Sequence, residues 1–333
     1  MQKSSIPTQS AESEEQNPAR RLRLRAAWMY FVEEMTQNEI AQKLGVGRVT
    51  VVRLLAAARE RNEVKISIGD RLAECVEAER LLERRFGIDE AIVVPISARG
   101  ADATGPVSAA AGAYVSSLVR PGMRIGVGWG RTLVSSLAFM DERTVEKLSV
   151  VSLLGGIMKA RKFNPAEFAW RFASLFQADC YLMTAPLLVD SAETRQTLIE
   201  HCGLRDIFEM AKSLDAVVLG AAGTGADATS HLSKFITNAD RASVIKAGAV
   251  GDVLFNFFDA DGELIDHPIN DRVMSVPLEI IKKVPMRVLA AGGASKVAAL
   301  AGALKLLKPT VLITDEYTAI DVLKLAGSVE EVD

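Results

Sequence analysis

Cysteine and histidine are scarce in this chain of 333 residues, three of each. Cys75, Cys180 and Cys202 lie far apart with no CxxC spacing. An odd, dispersed set builds neither a disulfide framework nor a zinc site. His201, His231 and His267 form no HxxxH or HExxH pattern. The pair His201–Cys202 is an incidental neighbourhood. No metal and no cofactor is therefore expected. Long apolar runs are missing too: none reaches the ~18–20 residues that span a bilayer. The opening residues, MQKSSIPTQSAESEEQNP, lack the basic start and apolar core of a secretory signal. They read as a disordered tail, and the expected location is the cytoplasm.

Hydrophobic residues make up 49% and charged residues 24%, the balance of a soluble globular protein. The length suggests roughly two domains. Net charge is only −3, but its distribution is uneven. Residues 18–65 hold ten Lys/Arg against five acids, while the tail and the remainder are both acidic. A basic head on an acidic body is expected where only the head meets phosphate.

The head, residues 20–62, contains three helical patterns. Leu24, Ala27, Trp28 and Phe31 form one stripe. Thr36-Gln37-Asn38-Glu39 is a capping box that opens a second helix. Gly45-Val46-Gly47 separates it from a third helix starting near Arg48. A helix-turn-helix needs a small residue where its helices cross, and Ala41 stands there. Four positions on it needs a residue that tolerates positive φ, and Gly45 stands there. Val46, Val51, Leu54 and Leu55 supply the inner anchors. The outer face then carries Val49, Val52 and Arg53, flanked by Arg48, and enters the major groove. Arg48 and Arg53 suit guanine or phosphate, and Val49 and Val52 suit thymine methyls. Gln37 and Thr50 suit phosphate at helix starts.

Beyond Ile68, residues 70–86 read as a connecting helix, or equally as an ordinary packing helix. From residue 90 apolar runs alternate with helical patterns. The runs lie at 91–94, 124–127, 148–154, 216–219, 287–291 and 310–314. Such alternation means an α/β domain with a mostly parallel sheet. Ligands in these sheets sit beyond the carboxyl ends of the strands, and glycines, hydroxyls and cations collect there. The candidates are Gly128, Gly130, Arg131 and Thr132, then Gly155 and Gly156, then Gly223, Thr224 and Gly225, then Gly293 and Lys296. Asp252 and Asp271 add carboxylates suited to polyol hydroxyls. A glycine at one strand end also serves a plain tight turn; four such loops converge on a phosphate- or sugar-sized pocket. Trp129, among these glycines, reads first as a core wedge and second as a cover for a sugar face.

In order and spacing the chain resembles the SorC family of transcriptional regulators. The resemblance runs from about Arg25 to the C-terminus. Its carriers are MTQNEIAQKLGVGRVTVVRLLAAAR, GVGWGRTL, GDVLFNFFDADG (251–262), NDRV (270–273), AGGASK (291–296) and ITDEYTA (313–319). Two positions depart from it: Gly47 stands where a serine usually opens the third helix, and Val52 where a polar residue is common. The resemblance implies an all-α helix-turn-helix domain followed by an α/β domain with a glucosamine-phosphate deaminase/ribose-phosphate isomerase-like fold. It also implies three partners: operator DNA, a sugar, polyol or sugar phosphate, and further copies of the chain in a homo-oligomer, commonly a tetramer. The expected layout is a tail at 1–19, the helix-turn-helix domain at 20–66, the connecting helix at 67–89 and an effector-binding and oligomerisation domain at 90–329.

The alternative is a sugar-phosphate isomerase or deaminase that carries a helix-turn-helix. The related isomerases place their chemistry on a DGADE-like segment with a following Lys-Gly-Gly-Gly. Here the similar place reads GAAGTGAD (220–227). It keeps one carboxylate, Asp227, and no such lysine motif follows; Lys246 and Asp252 are the remaining substitutes. A sensor that holds its ligand unchanged is the expectation. A purely architectural DNA binder would not need the glycine-rich pocket.

Overall fold

The computed structural model describes residues 18–61, 63–64, 73–157, 164–225 and 236–327. The tail at 1–17, residues 65–68 of the segment after the head, Asp227 and His231 lie outside the described residues. The chain divides into two compact units, 1–69 and 70–333.

The smaller unit holds α1 (Pro18–Phe31), α2 (Gln37–Leu44) and α3 (Arg48–Glu60). Thr36 and Glu39 cap α2 reciprocally: the Glu39 N–H donates to Thr36 Oγ1 at 3.4 Å, and the Thr36 N–H donates to the Glu39 carboxylate at 2.8 Å. The helix stops at Gly45, whose φ of 65° is left-handed. A side chain there would cost roughly 1–2 kcal/mol. Gly47 then opens α3 without a side-chain cap. The core is small: Ala26, Ala27, Ile40, Val51, Leu55 and Ala58. The expected stripe on α1 is displaced. Leu24 and Trp28 are exposed, and Arg23 turns inward with Ala26 and Ala27. The three buried alanines make a narrow crossing that an indole would not enter. The Arg23 guanidinium meets both carboxylate oxygens of Glu63, so its burial is compensated.

The larger unit begins with α4 (Ala73–Phe86), β1 (Glu90–Val94), α5 (Thr104–Leu118), β2 (Arg124–Val127), α6 (Arg131–Ser136) and β3 (Ser149–Ser152). It continues through α7 (Pro165–Leu175), β4 (Asp179–Tyr181), α8 (Ala192–His201), α9 (Arg205–Ala211), β5 (Ala216–Leu219) and β6 (Ala222–Gly223). Then come α10 (Asn238–Lys246), β7 (Gly251–Val253), β8 (Asn256–Phe258), α11 (Pro268–Asp271) and α12 (Leu278–Ile281). Last are β9 (Met286–Ala290), α13 (Val297–Leu307), β10 (Val311–Asp315) and α14 (Glu316–Leu325).

Seven strands form one parallel sheet in the order β1-β10-β9-β5-β2-β3-β4. All six apolar runs of the sequence are strands of it. Their residues are buried on both faces, as in β5, where every position is buried, and one apolar cluster covers each face. That is why these strands read as continuous apolar runs rather than alternating ones. The seventh, β4, is a three-residue edge strand with two exposed positions, and its polar text hid it. The other edge is covered by α4. Glu79 accepts the Val93 N–H at 2.9 Å and Glu83 accepts the Ala91 N–H at 3.1 Å, which blunts the free edge of β1. The helix expected as a connector is thus packed into the larger unit.

A three-stranded antiparallel sheet, β6-β7-β8, stands beside the main one. Its β7–β8 turn is Leu254-Phe255, with φ of 50° and 64°. Two-residue hairpin loops of this kind normally use Asn-Gly. Here both residues are buried, and the Phe255 N–H donates to Asp252 Oδ2 at 3.2 Å. Packing and that hydrogen bond hold a turn that its residue types disfavour.

Candidate functional site

Chain order fixes where a cleft opens. From β2 the chain moves outward to β3 and β4; it then returns to β5 and moves the other way to β9 and β10. The connections after β2 and β5 therefore part, and a crevice is left at their carboxyl ends. A cleft enclosing about 600 Å³, its open mouth included, lies there. It is lined by Trp129–Leu133 after β2, Gly220–Gly223 after β5, Ala290 at the end of β9, Ser295 and Lys296 after it, and Asp252 and Leu254 of the hairpin.

Seven of the residues singled out in the sequence line this cleft: Trp129, Gly130, Arg131, Thr132, Gly223, Asp252 and Lys296. Thr132 is buried at the start of α6, and Lys296 Nζ lies 3.5 Å from its Oγ1. The Ser108 hydroxyl donates to the Thr132 carbonyl at 2.9 Å, tying α5 to the same turn. Lys296 is aimed by the loop before it. Gly293, at φ 104°, donates its N–H to Asp315 Oδ2 and to Thr318 Oγ1, each at 2.8 Å. Asp315 in turn caps α14 through the Thr318 N–H. Gly223 permits a close approach, because a Cβ there would lie 2.5 Å from the Ser295 carbonyl oxygen.

The electrostatics are mixed. Arg131 and Lys296 make one wall cationic. Asp102, which accepts the Thr104 N–H at 2.9 Å just before α5, is held below the usual carboxylate range first by Thr104 and then by these two cations. Asp252 is the opposite case. It is 4% exposed, and burial pushes its carboxyl up to about 7 against the single pull of the Phe255 N–H. A neutral carboxyl near pH 7 both donates and accepts hydrogen bonds, which fits a hydroxyl-bearing ligand.

The other candidates lie elsewhere. Gly128 is packed beneath the cleft, its N–H donating to Val218 and its α-carbon facing Leu254 and Leu219. Gly155 and Gly156 donate to Met274 and Ala185 within a strand-like pairing. The Thr224 carbonyl accepts from Arg241 Nε at 2.7 Å, and Gly225 follows it. Asp271 is exposed on α11, where it favours the charge on Arg195. Lys246 is exposed at the end of α10 and does not line the cleft. Trp129 is both things: 8% exposed within the core and part of the cleft wall. Leu254 and Ser295 were not singled out. Ser295 stood inside AGGASK, whereas a leucine in a left-handed turn carries no sequence signal.

In the smaller unit, α3 buries Val51, Leu55 and Ala58 and turns Val49, Val52, Arg53 and Ala56 outward. Arg48 and Thr50 are also exposed. Arg48 Nε donates to Gln37 Oε1 at 3.4 Å. The two side chains line a shallow depression with Tyr30, Thr36 and Asn38. Arg59 is partly engaged, its guanidinium lying 5.3 Å from the centre of the Phe31 ring.

These features define a ligand-binding α/β protein with a separate three-helix head. The chain belongs to the SorC-type family of sugar-binding transcriptional regulators. The family described as "Putative sugar-binding domain" matches residues 70–324. The chain is 31% identical over 301 residues to the erythritol catabolism regulatory protein EryD of Brucella abortus, covering 90% of this chain and 95% of that protein. It is 31% identical over 300 residues to the deoxyribonucleoside regulator of Bacillus subtilis, covering 90% and 96%. The full-length sorbitol operon regulator SorC of Klebsiella pneumoniae shares the fold with a TM-score of 0.67 at 24% identity, over 93% of this chain and 100% of that one. The relatives are regulators, and the chain is a transcriptional regulator rather than an enzyme.

Proposed function

We propose that this regulator reads operator DNA with its three-helix head and senses a sugar, polyol or sugar phosphate in the cleft between β2 and β5. The compound belongs to carbohydrate or polyol metabolism, as the names of the relatives suggest for them. The head works as a helix-turn-helix domain. Ala41 at the crossing, Gly45 in the left-handed region and the buried face of α3 support that reading. Arg48, Val49, Val52 and Arg53 face the major groove, and Gln37 and Thr50 meet phosphate. The larger unit has a deaminase/isomerase-like architecture, supported by glycine-rich loops at a switch point.

One observation carries the ligand reading: Arg131, Thr132 and Lys296 meet the buried Asp252 across one cleft. The cations suit an anionic end and Asp252 a hydroxyl end. Gly128, Gly155, Gly156, Thr224, Gly225, Asp271 and Gly293 then shape the surroundings rather than touch the ligand. The chain works in the cytoplasm as a homo-oligomer, because two heads must match half-sites a DNA turn apart; the tetramer is what the family resemblance implies. Among the described residues no helix is long and apolar enough to cross a membrane. Ligand binding favours one oligomer geometry, and DNA affinity follows by the ligand's differential affinity for the two states, typically ~1–3 kcal/mol.

A thermal-shift screen of sugars, polyols and their phosphates tests the cleft. A ligand should raise the melting temperature of the native chain and leave Thr132→Ala and Lys296→Met unmoved. An equal rise in both variants would place the ligand elsewhere.

A further inference from the structure

The outward face of α3 has an unusual chemistry for a base-reading surface. Val49 is 67% and Val52 45% exposed. With Arg53 and Ala56 they form one stripe opposite the buried Val51, Leu55 and Ala58, and Arg48 flanks it. Scattered single apolar residues on a surface are ordinary. Two β-branched residues on one face, in the first turns of the helix after a left-handed glycine turn, are a placed pair. They also carry no benefit to the helix, since valine is a weaker helix former than alanine.

The stripe's hydrogen-bonding inventory is one-sided. Over its first two turns its charged groups are guanidinium donors, with the Thr50 hydroxyl beside them; the carboxylate of Glu60 stands in line with Arg53 and Ala56 but at the last residue of the helix, roughly 16 Å along it from Val49. Reading cytosine N4 requires an acceptor, and reading adenine bidentately requires an amide. In those first turns, 48–54, no carboxylate and no side-chain amide is present, and the one hydroxyl, Thr50, is the group assigned to phosphate. Guanine, with two acceptors in the major groove, remains open to arginine. Thymine remains open through its 5-methyl group, which needs only an apolar contact.

We infer that α3 reads its operator through thymine methyl groups packed against Val49 and Val52, with guanine hydrogen-bonded by Arg53. The inference rests on the DNA-binding reading of the head and adds the base identities to it. Each methyl withdrawn from water between a valine and the groove contributes about fourfold in affinity. The two valines thus supply selectivity that survives high salt, unlike the phosphate contacts.

The test uses the full chain and duplexes with a randomised 20-bp centre, enriched by repeated rounds of binding. The enriched half-sites should carry thymine at two positions. Replacing either thymine by deoxyuridine, which removes only the methyl, should weaken binding about fourfold. Val49→Ala should abolish that penalty at one position and Val52→Ala at the other. Both variants keep the fold, because the side chains are exposed and alanine favours the helix. Enriched sites without thymine, or deoxyuridine duplexes bound as tightly as the thymine ones, would overturn the inference while leaving DNA binding intact. Failure of any duplex to enrich would remove the DNA-binding reading and this inference with it.

Discussion

Replacing Asp252 with asparagine should stabilise the larger unit at neutral and alkaline pH, by an amount set by the cleft. The carboxyl is raised from 3.8 to about 7 by burial, and only the Phe255 N–H opposes the shift. At 1.36 kcal/mol per pH unit, holding that group ionised costs the fold about 4 kcal/mol. Between pH ~4 and 7 the folded chain binds the proton more tightly than the unfolded chain. Stability from this group is therefore highest below pH ~4, falls as pH rises through that window and is level above it. Asparagine keeps the shape and an acceptor for Phe255, and it does not ionise. Asp252→Asn should match the native chain at pH 4. At pH 8 it should exceed it by up to about 4 kcal/mol, on the order of 10 °C in melting temperature. Calorimetry of both proteins from pH 4 to 8 reads the difference directly. Parallel profiles, or a variant less stable at pH 8, would refute the argument that Asp252 is desolvated.

The head and the sheet edge offer independent checks. Gly45→Val places a β-branched residue at φ 65° and should cost the head roughly 1–2 kcal/mol or more; gel-shift binding should fall while the calorimetric transition of the larger unit stays put. Arg53→Ala should weaken operator binding by about 1–3 kcal/mol and leave ligand-induced melting shifts unchanged. Glu79→Ala strips the buried Val93 N–H of its acceptor and should lower the stability of the larger unit by about 1–3 kcal/mol in urea unfolding.

Much of this architecture was legible because its causes are local. Gly45 needed a left-handed conformation, Thr36 and Glu39 needed each other, and six sheet strands were largely buried on both faces and so read as mostly apolar runs. The cleft was legible in outline, since glycines, Thr132, Arg131 and Lys296 follow strand ends. What escaped depends on tertiary packing. Leu24 and Trp28 looked like the inner stripe of α1, yet the buried Arg23–Glu63 pair joins residues 40 apart and takes that place. The Leu254-Phe255 turn lacks turn residues because burial, not φ preference, holds it. Strand β4 is short and polar because it is an edge. Gly155 and Gly156 share the composition of the cleft loops but serve strand-like pairing, a difference that appears only when Ala185 and Pro186 are brought beside them.

The most direct test of the account is the affinity of the full chain for an enriched operator duplex, measured with and without the compound that raises its melting temperature. A sensor coupled to its head predicts a change of about 5–150-fold, absent in Lys296→Met. Equal affinity in both conditions, with the ligand demonstrably bound, would contradict it.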